Sequence, residues 1–282
     1  MLRLSIEEIQ SKIRAQEPFE AVALDYSFTI KISEYTYYLC AAVHDGHQFR
    51  RELWENCLHT EYDRWYEEDP CTQQMVQTMP MVIAGCDSRF EYDLNRDPGQ
   101  AIYEDAWGKK LWKEPLPEEF KERSLQKHQA FYEVVFTLLT KIQELFGAAV
   151  VYDMHSYNWQ RWDRPVPVVN LGTANIEEHY TSFAKAWCNS LAQLKLPHGI
   201  ETTAAINDTF QGNGYFLKNI SQNFDHVLVL ATEFSKIHCD EYDYVVYPEV
   251  VAAIEEQLKK KIVSHANHFY ENYILKKGLL PV

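Results

Sequence analysis

The sequence predicts an α/β protein, a three-layer α/β/α sandwich with helices on both faces of a mixed, mostly parallel sheet. Short apolar runs of strand length alternate with long stretches of helical periodicity, the order that builds parallel sheets. Nearly half of the 282 residues are hydrophobic and about a quarter are charged, so a core of useful size is available. No internal repeat, low-complexity tract or Pro/Gly/Ser-rich linker interrupts the chain, and one domain over residues 1–282 is expected.

Taken in order, residues 5–16 place Ile6, Ile9 and Ile13 at helical spacing behind Ser5, a favoured N-cap type. Tyr37–Val43 is an apolar run that stops at His44 and reads as a buried strand. Residues 59–79 read as helical. Met81–Ala84 is a second buried run, ended by Gly85. A long helix over 117–146 carries Phe131, Val134, Val135, Leu138, Leu139, Ile142 and Phe146 on one side, and Gly147 fits as its stop. Ala148–Tyr152 is a strand candidate that delivers Asp153 and His155 at its far end. Val166–Leu171, Thr202–Ile206 and Val227–Ala231 are further strands, with a helix over 176–195 between the first two. A helix over 248–276 closes the chain.

Composition narrows the function classes. The formal net charge is −14, and no basic run is available to displace counterions from a phosphate backbone, so neither nucleic acid nor an anionic membrane surface is an expected partner. No apolar run approaches the ~20 residues needed to cross a bilayer. The start MLRLSIEEIQSKI places acids where a signal peptide needs an apolar core. The six cysteines form no C-x-x-C pair and read as reduced thiols, so a cytoplasmic protein is expected.

Four polar segments follow predicted strands, where the carboxyl ends of an open α/β sheet form a ligand crevice. They are His44–His47, Asp87–Arg96, Asp153–Asn158 and Glu233–Glu241. A metal-binding His needs its second ring nitrogen held by an acceptor, which Asp153 can supply to His155; a hydrogen-bonded strand-end His is the plainer alternative. Gly46 lets the turn after His44 pass close to a ligand, with His47 a supporting or helix-start residue. Arg89, Asn95 and Arg96 suit a substrate carboxylate, since the guanidinium is a planar fork of donors; loop salt bridges would use the same residues. Glu233 sits where a general base belongs, or where a solvated strand end would. Trp54, Trp65, Trp107, Trp112, Trp159 and Trp162 are core or cleft residues, with Trp159 and Trp162 expected to edge the site.

Together these segments resemble the N-formylglutamate amidohydrolase family, and more distantly the zinc carboxypeptidase and aspartoacylase superfamily. YDMHSYN (152–158) resembles the segment bearing a zinc-ligand His, and VHDGH (43–47) the loop that supplies the first His. YDLNRDP (92–98) is similar to the segment whose Asn and Arg hold the substrate. HTEYDRW (59–65) resembles a segment with an acidic residue. FQGNGYF (210–216) and ATEFSK (231–236) look like the glycine turn and the late catalytic Glu. The resemblance implies a zinc-peptidase-like fold and one zinc per chain on His44, His155 and a carboxylate, Asp63 with Glu61 its rival. It further implies Glu233 as general base, and Arg89, Asn95, Arg96 and the Gly212/Gly214 turn for substrate. His128 would reach the acyl group or an oxyanion, or else is a surface helix residue, and Arg96 or Arg89 would stabilise the oxyanion. The implied reaction is hydrolysis of a small N-acyl amino acid, N-formyl-L-glutamate first. Another N-acyl amino acid, a short peptide, or ligand binding without turnover are the alternatives. His47 stands where an H-x-x-E zinc pair would have its carboxylate, Asp45 replaces a family Ser, and Lys236 stands where many relatives have Arg. Oligomeric state is left open.

Overall fold

A computed structural model describes residues 1–280. The chain opens with β1 (Leu2–Leu4) and α1 (Ile6–Arg14). Ser5 caps α1 as expected: its Oγ accepts from Glu8 N, and the Glu8 carboxylate accepts from Ser5 N. β2 (Phe19–Ala23) and β3 (Phe28–Ile32) follow, then β4 (Tyr38–Ala42), the short α2 (Arg51–Trp54) and α3 (Glu61–Glu67), and β5 (Met81–Gly85). A hairpin of β6 (Asp105–Ala106) and β7 (Lys109–Lys110) precedes α4 (Glu118–Phe146), which stops at Gly147 with φ +78°, a left-handed residue that glycine adopts without a Cβ penalty. The rest runs β8 (Ala149–Tyr157), β9 (Val169–Gly172), α5 (Thr181–Leu191), β10 (Ala204–Ile206), α6 (Tyr215–Asn223), β11 (Val227–Ser235) and α7 (Pro248–Phe269).

Among the described residues nine strands form one sheet in the order β1-β2-β3-β5-β4-β8-β11-β9-β10. Parallel pairings join β1/β2, β4/β5, β4/β8, β8/β11 and β9/β10; β2/β3, β3/β5 and β9/β11 are antiparallel. Successive side chains of a strand point to opposite faces, so each central strand feeds two cores. Val150, Tyr152 and Met154 of β8 pack with α5 and α7, while Ala149 and Val151 pack with α1, α4 and α6. The mostly parallel three-layer sandwich is thus as predicted. From β4 the chain turns to β5 on one side and returns through α4 to β8 on the other. A crevice opens where neighbouring strands diverge in this way, at the carboxyl ends of β4 and β8.

Several boundaries differ from expectation. The helix expected over 59–79 is only α3, because Pro70 disfavours helical geometry at Asp69 and the Asp69 N–H bonds the carbonyl of His44 instead, 2.9 Å. β8 and β11 run on through Tyr157 and Ser235, paired residue by residue, so the polar ends read as exits from the sheet are part of it. The C-terminal helix continues past Phe269 as a wider turn over Tyr270–Leu275. Among the described residues no helix is long and apolar enough to cross a membrane, and the cysteines are free thiols.

Candidate active site

Three side chains converge at the crevice. His44 follows β4, Asp69 follows the turn after α3, and His155 lies on β8; all are buried, and one ligand atom from each falls within 4.8 Å of the others. Asp69 Oδ2 is 3.4 Å from His44 Nδ1 and 3.1 Å from His155 Nδ1. Both imidazoles therefore turn Nδ1 to the same point. Their outer nitrogens are held by carboxylates: His44 Nε2 is 2.7 Å from Asp93 Oδ1, and His155 Nε2 is 2.9 Å from Asp153 Oδ2. Asp153 and His155 lie two apart on one strand and so share a face.

Such carboxylate–histidine pairs fix which ring nitrogen faces a metal. His44 Nδ1 is buried and makes no hydrogen bond, the expected state of a nitrogen whose partner is an ion. Two histidines and one carboxylate with an open fourth position form the donor set of a hydrolytic zinc site. The residues fit a divalent cation.

Electrostatics agree with that fit. Burial works against charge on Asp69 and His155, but the contacts between them, with Asp153 on the ring, outweigh it. The Asp69 carboxyl is held well below the usual range and the His155 ring well above. Asp93, accepting from Arg89, His44, Tyr103 and the Asn95 N–H, is likewise held low despite its burial. Glu233 pairs directly with His155 in the β8/β11 register. Burial, with the Asp69 and Asp153 charges adding to it against the pull of His155, pushes its carboxyl up to about 7.

These groups open into a cavity of about 360 Å³, also lined by Arg89, Asn95, Arg96, Arg161 and Lys236 and by the 209–214 loop. Asn170, beside Glu233 in the β9/β11 register, shapes that loop: its side chain accepts from Asp208 N and Thr209 N and donates to the Phe210 carbonyl. Gly212, at φ +79°, lies against the Gly172 backbone, where any Cβ would collide. Gly214 makes the same close approach to the Asn95 amide, whose Oδ1 accepts from Phe216 N at the start of α6. Arg89 is largely engaged, donating to Asp93 Oδ2 and the Glu67 carbonyl, whereas Arg96 is exposed on the cavity wall.

Of the residues read from the sequence, His44, His155, Glu233, Arg89, Asn95, Arg96, Gly212 and Gly214 all come to this cavity. Three expectations are corrected. Asp63 is not beside the histidines: its carboxylate accepts from Thr60 N and Oγ in the capping box of α3, and Glu61 is exposed one turn-start earlier. The carboxylate that stands beside the two histidines is that of Asp69. His128 is neither a surface residue nor a cavity wall; it is buried and its Nε2 holds the Arg96 carbonyl at 3.0 Å, burial keeping its pKa low. Trp107, not Trp159 or Trp162, lines the cavity. Asp69 and Asp93 went unassigned, although the Asp69-Pro70 step marks where a carboxylate leaves a helix. His47, expected as a supporting or helix-start residue, is bonded to Glu68.

The sequence profile described as N-formylglutamate amidohydrolase matches residues 37–237. No curated protein sequence matches the chain significantly. Among solved structures, the N-formylglutamate amidohydrolase of Ralstonia eutropha JMP134 superposes with a TM-score of 0.71 at 16% identity, covering 87% of this chain and 99% of that one. A gene product of Agrobacterium tumefaciens superposes with a TM-score of 0.65 at 15% identity, covering 84% of this chain and 95% of that one.

Proposed function

The chain belongs to the N-formylglutamate amidohydrolase family, and we propose that it hydrolyses the amide of a small N-acyl amino acid, N-formyl-L-glutamate first, with one zinc ion held by His44, Asp69 and His155. The observation that carries this reading is the meeting of those three side chains with Glu233 at the floor of one cavity. When bound, zinc supplies a Lewis acid for the amide carbonyl and lowers the pKa of water from ~15.7 towards ~7.

The chain's own groups do the rest. Glu233 accepts the proton of the attacking water as its oxygen bonds to the acyl carbon, then returns it to the leaving nitrogen as the C–N bond breaks. The carboxylates of Asp93 and Asp153 keep the Nδ1 atoms of both histidines aimed inward. The Asn95 side chain, whose Oδ1 accepts from Phe216 N so that its NH2 is the end available as a donor, and the Arg96 guanidinium offer donors to the substrate carboxylate. His128 fixes the Arg96 backbone, so it is a positioning residue. Arg89 adds positive charge at the cavity wall while its bond to Asp93 steadies the His44 partner.

The test is release of glutamate and formate from N-formyl-L-glutamate by zinc-loaded protein, compared with Glu233→Gln. We expect kcat to fall by roughly 10²–10⁴-fold with zinc content unchanged. Undiminished kcat in the variant would remove Glu233 from the reaction.

A further inference from the structure

A second, smaller cavity of about 220 Å³ adjoins the first, and Glu67 and Trp107 line both, so the two meet at that wall. Its other sides are largely aromatic: Tyr62 and Tyr66 from α3, and Tyr242. The Tyr66 and Tyr242 rings lie 6.0 Å apart and stacked, the Tyr62 and Tyr66 rings 6.5 Å apart. Trp107 stands at the tip of the β6/β7 hairpin with φ +50°, followed by Gly108 at +76°, the two left-handed residues of a tight hairpin turn. A left-handed tryptophan is strained and persists only where its surroundings hold it. Here the indole lies against Phe90 and Tyr103 and beneath the Arg89 guanidinium, whose carbon is 5.1 Å from the ring centre.

The charged groups at this cavity are already engaged. Asp63 is bonded to Thr60 and faces Lys109 at 3.8 Å; Glu67 is paired with Arg161 at 2.7 Å. Burial, set against the Asp63 charge, keeps the His59 ring's pKa low. The carboxylates at this cavity are thus paired, and the rings of Tyr62, Tyr66, Trp107 and Tyr242 make up much of the remaining wall. Flat, neutral, apolar groups are what such walls hold.

We propose that this aromatic groove is a substrate subsite, so that the preferred substrate is an N-acyl amino acid carrying an aromatic ring beyond the amide. The inference rests on the hydrolase reading above and names the substrate class of the same site. The reaction is unchanged: water adds its oxygen to the acyl carbon, the C–N bond breaks, and the amine takes the proton. The ring can belong to the acyl group or to the amino-acid side chain, since the cavity that holds His44, Asp69 and His155 shares its Glu67 and Trp107 wall with the groove.

Three substrates separate these cases: N-formyl-L-glutamate, N-phenylacetyl-L-glutamate and N-formyl-L-phenylalanine, each with zinc-loaded protein. We expect kcat/KM for one ring-bearing compound to exceed that for N-formyl-L-glutamate by about tenfold, in line with burying a ring. The arm that wins tells which side of the amide carries the ring. Tyr62→Ala and Tyr242→Ala should each lower that ratio several-fold. Ring-bearing substrates turned over no better than N-formyl-L-glutamate would overturn the subsite. If none of the three is cleaved, the hydrolase reading fails, and quenching of tryptophan fluorescence then reads the groove directly. Tighter binding of a ring compound, by about tenfold, supports it; equal Kd values for all three overturn it.

Discussion

Asp63 lies in the first turn of α3 and Asp69 two residues past its end, and their carboxylates serve unlike purposes. Asp63 closes the N-terminus of α3 through Thr60, while Asp69 faces the Nδ1 atoms of His44 and His155. Asp69→Asn should therefore abolish metal retention, whereas Asp63→Ala should cost about 1 kcal/mol of stability through the lost cap and leave metal content intact. Metal analysis and urea denaturation of both variants would show the contrast; metal loss from a folded Asp63→Ala would make Asp63, not Asp69, the third ligand. Asp153→Asn should weaken metal affinity by about 10–100-fold, the usual effect of losing the group that orients a ligand His. The D-x-H spacing made that pairing legible in the sequence, because residues two apart on a strand share a face. Asp69 was not legible: its place is set by the bond from its backbone to His44, a contact between segments that no periodicity reports.

At the scale of elements, α4 is tied to the loop after β5 by a buried cluster. Lys127 lies 3.0 Å from Asp87 and 3.1 Å from Glu91, and Arg50 is 2.7 Å from Glu91. Two carboxylates thus share cations in a dry site, and burial with the Glu91 charge pushes the Asp87 carboxyl up to about 7, against the pull of Lys127. Its folded value exceeds the ordinary 3.8, so between about pH 4 and 7 the native state binds more protons than the unfolded chain. The contribution of Asp87 is then present at low pH and lost as pH rises through about 7. Urea midpoints over that range should fall more steeply with pH in the wild type than in Asp87→Asn; parallel profiles would contradict the raised value. The elements themselves were unevenly legible. β4, β5 and β11 are buried on both faces and read as continuous apolar runs. β3 alternates, Phe28-Thr29-Ile30-Lys31-Ile32, with Thr29 and Lys31 only half-buried, and carries a weaker signal.

For the whole molecule, a net charge of −14 coexists with a cavity walled by Arg89, Arg96, Arg161 and Lys236. Local charge, not the total, is what a small anionic substrate meets. The three candidate ligands are His44 after β4, His155 on β8 and Asp69 in the turn after α3, so an ion bound there would bridge separate parts of the fold. Binding to the native state alone adds about 2.7 kcal/mol at a ligand concentration ~100 times Kd. Zinc should raise the Tm of the wild type by several degrees and leave His155→Ala unmoved; an equal shift in both would place the ion elsewhere.

The central claim, one metal ion on His44, Asp69 and His155, is tested most directly by zinc stoichiometry. Elemental analysis of wild type, His155→Ala and Asp69→Ala after loading and desalting, with circular dichroism confirming that each is folded, should give about one zinc per chain in the wild type and essentially none in either variant. A folded wild type that retains no zinc, or variants that retain as much as it does, would contradict the account.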